Sequence, residues 1–461
     1  MKDRILQTLQ ELRRYALGKP CEVALFYHEE DSYLIRFANS AISLNTNEHL
    51  IRLEITAFSG QKRASYAMIT NLDKLDEMKQ GIDRAAEMVE HSQPLAYQPT
   101  IPVYGQTFID EDGYDPALAQ ISNEQRLDTF NQAVRGLESA EIKLSGIFSS
   151  GSNTLAMINT RCENLQYFKT SDAQVTMVLS HERLKWEVIA EQSAQKLAEL
   201  EPDRLRGELS FLLERYQNEA PQQLPLGKYD IVFGAAATAD LIFFMNWIGF
   251  DGGWMKRGFS FLGEEKVGQK VFSSQITLSD DPTRLETFPF KRDFTGMERK
   301  PYPLFQAGIF RGFVWSQDDA DEFSAPPTGH TVSHKSLALA GGDRQVSSLP
   351  ELVEMPREND LLYIPFLHYM NIVNPTKGVI TASSRFGALL LKQDGRLVIP
   401  YNVRLTQSLL DIFGEGVAWL SQACLPYNTS LSYGARNPTA VIVPMFMRVN
   451  GLEISHANTS Y

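Results

Sequence analysis

The stretch from Leu226 to Phe313 constrains this chain more than any other, because four kinds of local structure follow one another in a fixed order. Lys228-Tyr229-Asp230-Ile231-Val232-Phe233, released by Pro225 and Gly227, reads as a strand. From Ala235 to Trp247 strong helix formers take over, with Ala239, Ile242, Phe243 and Trp247 at helical spacing, and Gly249 stops the helix. Gly252, Gly253, Gly258 and Gly263 then punctuate a tight loop. Lys266–Phe272 reads as a short strand and Asp280-Asp281-Pro282-Thr283 as a turn. Pro303–Phe313 reads as a hairpin whose reversal at Gly308 supplies a positive φ.

The chain around this stretch has 461 residues, enough for two cores, and 43% apolar and 22% charged residues place it among ordinary soluble proteins. No apolar run reaches the length of a membrane span, and Met1-Lys2-Asp3-Arg4 leads into an amphipathic helix instead of a signal sequence, so the expectation is a cytoplasmic protein. Net charge is −12 with no basic run, and a nucleic-acid surface needs clustered Lys and Arg, so neither nucleic acid nor membrane is expected as a partner. Cys21, Cys162 and Cys424 are too few and too scattered for a disulfide framework or a metal knuckle; reduced cysteines are expected.

Ile5, Leu9, Leu12 and Ala16 mark a first helix, closed by Gly18 and Pro20. Strands are expected at Cys21–Tyr27 and Ser32–Phe37 around an acidic turn at Glu29-Glu30-Asp31, and again at Leu50–Phe58 and Gln61–Ile69. Leu75, Met78, Ile82, Ala85 and Val89 give a second helix, capped near Thr70-Asn71. Pro94–Pro116 reads as an irregular connection. Ser122 and Gln125 form a capping box before a helix with Leu127, Phe130, Val134 and Leu137 inward. Strands at Glu141–Phe148, Thr154–Asn159, Ala173–Leu179 and Leu184–Ala190 precede a helix at Asp203–Glu219. Pro221–Pro225 is the expected boundary between a domain of residues 1–220 and one of 226–461. The expected fold class is α+β: helices on an antiparallel sheet in the first domain, and a strand-rich, curved or barrel-like antiparallel sheet in the second. Within that sheet, Asp318–His334 reads as an acidic loop, Leu361–Val373 as one aromatic strand, and Gln393–Arg396 as a hairpin turn.

The strand and helix at Tyr229–Trp247, Arg257-Gly258-Phe259-Ser260-Phe261-Leu262, Lys266–Ser273, Asp280-Asp281-Pro282 and the Arg299–Phe313 hairpin together resemble the TldD/PmbA family, also called modulators of DNA gyrase. Tyr363 to Gly387 and Asn402–Leu405 extend the resemblance over residues 226–412, and Arg36–Ile42 resembles the family's N-terminal signature more loosely. The resemblance implies proteolysis of small or unfolded polypeptides by a zinc peptidase of two related chains. In the catalytic chain the helix after the first strand carries His-Glu-x-x-x-His, and a late cysteine completes the site. Here that helix reads Ala236-Ala237-Thr238-Ala239-Asp240-Leu241-Ile242-Phe243-Phe244, with neither histidine nor glutamate. The chain thus resembles the PmbA (TldE) type: no cofactor of its own is expected, and zinc is expected in a partner chain. The resemblance assigns the peptide cleft to Gly258, Ser260, Phe261, Thr328, Gly329, His330 and Arg385, where His330 departs from the family's usual Thr-Gly-Asn.

A zinc peptidase needs two imidazoles about one helical turn apart and a carboxylate to activate bound water. His28-Glu29 and His181-Glu182 lack a second histidine, and His330 with His334 follows Pro326, Pro327 and Gly329, which reads as a solvated loop pair. Cys424 lacks flanking glycines and reads as buried and structural. No Gly-x-Ser-x-Gly elbow is present, and the glycine cluster lacks a Walker lysine. The leading expectation is therefore a non-catalytic subunit that shapes the cleft and holds peptide beside a zinc-motif relative, as heterodimer or hetero-oligomer. Two alternatives stand beside it: a self-sufficient metallopeptidase built on His330, His334 and His368, and a homodimeric peptide-binding scaffold.

Overall fold

Residues 1–218, 220–293, 295–330, 335–430 and 436–460 are described by the structure, a computed structural model. Helix α1 (Lys2–Ala16) buries Ile5, Leu9, Leu12 and Ala16 on one stripe, as their spacing requires. Three long antiparallel strands follow: β1 (Glu22–Ala38), β2 (Ala41–Ser59) and β3 (Lys62–Thr70). Helix α2 (Leu75–His91) lies across β2 and β3, with Met78, Ile82, Ala85 and Val89 inward. Its N-cap is Lys74, four residues past the expected Thr70-Asn71, because β3 runs on through Thr70.

The acidic triplet Glu29-Glu30-Asp31 does not turn. It continues β1, since neighbouring strands and residues compensate the charges: Arg52 of β2 sits 3.2 Å from Glu30, Tyr27 donates to Glu29 at 3.0 Å, and His49 meets Asp31 at 2.7 Å. The connection from Pro94 to Pro116 likewise contains a strand, β4 (Phe108–Gly113). After α3 (Pro116–Ala119), helix α4 (Asn123–Val134) starts at the expected capping box, with Gln125 N donating to Ser122 Oγ (3.2 Å) and Ser122 N to Gln125 Oε1 (3.0 Å). The two strands expected between Glu141 and Asn159 are one, β5 (Ile142–Asn159), paired along its length with β6 (Gln166–His181). Strand β7 (Glu187–Ala194) and helix α5 (Pro202–Asn218) complete this half. The sheet order is β3-β2-β1-β5-β6-β4, with β7 also on β6; only β4 runs parallel to its neighbour.

In the second half β8 (Gly227–Gly234) leads into α6 (Ala235–Ile248), capped at Gly249, and the short α7 (Gly252–Lys256). The expected strand at Lys266–Phe272 is a 3₁₀ turn at Glu264–Lys266 plus a single bridge from Lys270 to Ile309. Strand β9 (Leu278–Asp280) precedes the hairpin of β10 (Tyr302–Gln306) and β11 (Ile309–Phe310). At its reversal Ala307 (φ 49°) and Gly308 (φ 77°) are both left-handed, the primed turn that matches strand twist. A Cβ on Gly308 would lie 2.2 Å from the Phe272 carbonyl oxygen, so only glycine fits. The Asp318–His334 stretch opens in a helix, α8 (Gln317–Phe323), N-capped by Ser316; His334 lies outside the described residues.

The remaining elements are β12 (Leu337–Leu339), α9 (Leu349–Glu354), β13 (Leu361–Ile364), β14 (Phe366–Asn374), β15 (Val379–Arg385), β16 (Leu389–Leu391) and β17 (Leu397–Val398). They continue through β18 (Val403–Ser408), α10 (Leu409–Ile412), β19 (Val417–Leu420), β20 (Cys424–Asn428), β21 (Ala440–Pro444) and β22 (Phe446–Ala457). Pro365, which has no N–H to donate, splits the expected Leu361–Val373 strand into β13 and β14. Two sheets result, β11-β10-β9-β12-β21-β20 and β14-β15-β18-β22-β8-β13-β16-β17, with β19 on β22. The fold is α+β as expected, but these sheets are open and no closed barrel forms among the described residues. Nor are they purely antiparallel: β8 pairs with β13 and β12 with β21 in parallel.

Helix α6 packs on β8, β14, β20, β21 and β22. Its Ala237, Ala239, Leu241, Ile242 and Met245 join Phe272, Phe305, Phe310 and Phe413 in one core. Burying a side chain such as Leu241 contributes roughly 1.5–3 kcal/mol. A second core crosses the Pro221–Pro225 joint: Leu209 and Tyr216 of α5 pack with Tyr363, Leu389 and Phe446, and Tyr216 Oη donates to the Ala388 carbonyl at 2.8 Å. Arg436 reaches back onto the first sheet, meeting Asp172 through Nε (2.7 Å) and Nη2 (2.6 Å).

Candidate functional site

Two strands at sheet margins bound a large opening in the described residues. Among the described residues, strand β7 of the first half pairs only with β6, and β20, which ends the six-stranded sheet, pairs only with β21. Between them lies a cavity of about 590 Å³, whose walls include Glu191, Arg204, Phe288, Tyr427 and Asn428. A second cavity of about 450 Å³ adjoins it, lined by Glu208, Ala235, Ala236, Tyr363 and Phe366, and the two share Glu191, Arg204, Ser347, Leu425, Tyr427 and Met445. The result is a continuous cleft with a β-strand edge on either side.

Helix α6 places its first turn against this cleft. Its less buried residues, Ala236, Asp240, Phe243 and Trp247, recur at helical spacing and form one face. Ala237, Thr238 and Ala239 point into the core. Carboxyls dominate the chemistry here. Glu191 accepts from Tyr427 Oη at 2.8 Å and from Thr176 Oγ1 at 2.9 Å, yet burial still pushes its proton affinity up. Burial first, and then the neighbouring Glu191, push Asp240 up to about 8. Burial raises Glu208 as well, against the opposing pull of Arg204, whose Nη1 lies 2.5 Å from Glu208 Oε1. Burial and the two carboxyls Glu191 and Asp240 raise the Tyr427 phenol. Asp240, pushed up to about 8, keeps its proton at neutral pH and can donate as well as accept a hydrogen bond.

The donor set does not fit zinc. A zinc site takes imidazole or thiolate ligands in tetrahedral array, whereas α6 offers alanines, a buried threonine and Asp240. No group of three or more His, Cys, Asp or Glu side chains placed to hold a metal occurs among the described residues. Cys424, expected to be buried, is exposed at the start of β20.

Of the residues the sequence assigned to a cleft, none lines these two cavities. Gly258, Ser260 and Phe261 stand in the loop after α7. Ser260 Oγ donates to the Gly249 carbonyl at 3.2 Å and accepts from Leu262 N at 3.0 Å, and Phe261 is buried beneath Gly249 and Gly378. Thr328 Oγ1 accepts from Trp315 N at 2.9 Å, and Gly329 is left-handed at φ 76°. His330 is buried, not solvated: its Nε2 lies 3.2 Å from the Lys300 carbonyl and 3.8 Å from Asp280 Oδ2, and burial lowers its basicity. Arg385 on β15 meets Glu187 of β7 at 2.9 Å and approaches His368 Nδ1 at 3.5 Å. Sequence reasoning missed Glu191, Glu208, Asp240 and Tyr427. One signal was available, a lone carboxylate in the otherwise uncharged helix Ala235–Ile248.

Comparison with known proteins supplies the context for this geometry. Residues 226–456, half of the chain, match the family described as the PmbA/TldA metallopeptidase C-terminal domain. No curated protein sequence matches. Among solved structures the fold is similar to TldE from Thermococcus kodakarensis, at 16% identity and TM-score 0.76 over 97% of this chain and 100% of that one. Two proteins named as candidate modulators of DNA gyrase are also similar. The one from Thermotoga maritima has 14% identity and TM-score 0.73, covering 97% and 99% of the two chains; the one from Bacteroides thetaiotaomicron has 15% and 0.74, covering 97% and 98%. With its second half matched throughout and its fold shared from end to end, this chain belongs to the TldD/PmbA family.

Proposed function

We propose that this chain is a PmbA/TldE-like subunit of a cytosolic TldD/PmbA-type metallopeptidase, one that shapes the cleft and holds unfolded peptide while a zinc-motif relative supplies the metal. One observation carries the reading: α6, the helix that bears the zinc motif in catalytic relatives, sets Ala235 and Ala236 in the wall of the cleft, with Asp240 one turn further along the same face. The edges of β7 and β20 fit an extended peptide, because main-chain hydrogen bonds to a strand edge accept any sequence. A protonated Asp240 suits that role better than a free carboxylate would, since it can face either peptide N–H or C=O. A self-sufficient metal site is disfavoured: His330 is enclosed beside Asp280, and His368 packs on Tyr369 next to Arg385. No helix among the described residues is long and apolar enough to cross a membrane.

The test is a mixing experiment on untagged protein. Alone, the chain is expected to carry no stoichiometric zinc and to leave unfolded peptides intact; with a His-Glu-x-x-x-His relative from the same cell it should co-elute and support chelator-sensitive hydrolysis. About one zinc per chain together with robust hydrolysis by this chain alone would overturn the proposal.

A further inference from the structure

The cleft between β7 and β20 changes character along its length. Ile189, Ala190 and Glu191 of β7 line the lobe of about 450 Å³, and Glu191 to Gln195 line the lobe of about 590 Å³, so this one strand runs from the first into the second. Leu425 and Tyr427 of β20 face both.

The smaller lobe is walled mostly by carbon. Phe211 of α5, Leu349 of α9, Phe366 of β14, Leu425 and Met445 are only half-buried there. Polar side chains at its margin are already engaged: Tyr427 Oη donates to Glu191 at 2.8 Å, and Arg204 meets Glu208 at 2.5 Å. Ala235 and Ala236, which open α6, add no bulk. Water finds few partners in such a space. An apolar side chain that takes its place gains about tenfold to a hundredfold in affinity. The flexible Met445 adapts the wall to rings and branched chains alike.

The larger lobe is acidic. Glu191, Glu199, Glu201 and Glu286 stand on its walls against one guanidinium, Arg204, which Glu201 also holds at 3.2 Å. Arg284 meets Glu286 at 3.6 Å from outside the lining, an exposed pair that offsets little of this charge. A cleft walled by one sign of charge, in a chain of net charge −12, concentrates cations. Along β7 the middles of the two lobes, Ala190 and Ser193, lie about 10 Å apart at ~3.3 Å per residue. An extended peptide beside the strand covers that distance in about two to four residues.

We propose that the cleft selects unfolded peptides in which a bulky apolar side chain stands about two to four residues from a lysine or arginine. The apolar side chain enters the smaller lobe and the cation the larger. The inference rests on the peptide-holding role proposed above and names the peptides that role favours.

Fluorescence anisotropy of the full chain with labelled Gly/Ser peptides tests it. All are N-acetylated and C-amidated, so any preference for a cation belongs to the side chain. One peptide carries Phe with Lys about three residues on, a second has Ser in place of the Phe, and a third has Glu in place of the Lys. The Ser peptide should bind about tenfold to a hundredfold more weakly than the first. The Glu peptide should bind about threefold to tenfold more weakly, a gap that closes as salt rises. Ala236→Leu fills the smaller lobe and should erase the preference for Phe; Leu349→Ser, which changes its rim without adding bulk, should reduce it. Glu199→Gln combined with Glu286→Gln should erase the preference for Lys over Glu. Equal binding of the Phe and Ser peptides, or of the Lys and Glu peptides at low salt, overturns this inference and leaves the holding role standing. A preference for Phe that survives both smaller-lobe variants also overturns it. Binding of none of the three peptides overturns the holding role as well.

Discussion

Replacing Asp240 by Asn removes a strongly perturbed carboxyl beside the cleft at almost no change in volume. In the folded chain the Asp240 carboxyl stays neutral up to about 8, against an ordinary 3.8, chiefly because it is buried and secondarily because Glu191 is its neighbour. An unfolded chain would ionise it above about pH 4, so the folded state binds the extra proton and loses stability as pH rises from about 4 toward 8. At about 1.4 kcal/mol per tenfold change in proton affinity, the cost at pH 7 reaches at most roughly 4 kcal/mol. Partial solvent access and coupling to Glu191 reduce the expected gain to about 1–3 kcal/mol. Asn cannot ionise, so the variant should be more stable than the parent at pH 7 and above. The two should converge near pH 4. Urea unfolding of both proteins at intervals between pH 4 and 8.5 measures this directly, and the raised carboxyls not coupled to Asp240 cancel in the difference. A variant equal to or less stable than the parent at pH 8, or a difference that does not grow with pH, would refute the reasoning.

Other outcomes follow from the same geometry. Tyr427→Phe deprives buried Glu191 of its 2.8 Å donor and should lower stability by about 1–3 kcal/mol in denaturant titration, with little change in secondary structure. Arg436→Ala leaves Asp172 buried without its counter-charge; a loss of about 3–5 kcal/mol is expected, and protonating Asp172 below its raised proton affinity should recover part of it. The parent's zinc content and inactivity alone, and the recovery of hydrolysis on mixing, are read by elemental analysis and a fluorogenic peptide.

The sequence by itself determined the elements whose signals are local. The stripe Ile5–Ala16, the Ser122–Gln125 capping box, the strand–helix step at Gly234 and the left-handed turn at Gly308 each follow from backbone sterics or 3.6-residue spacing within a few residues. The missing zinc ligands of α6 were legible in the same way, since a residue type is a local fact. What only the tertiary structure decided depends on partners far away in the chain. Glu29–Asp31 reads as a turn until Arg52 and His49 arrive from β2 to offset its charge, and His330 reads as solvated until Lys300 and Asp280 enclose it. The cleft is the clearest case: Glu191, Glu208, Asp240 and Tyr427 come from four elements spread over more than half the chain. Their raised proton affinities exist only because folding removes them together from water, and no window of sequence contains that desolvation.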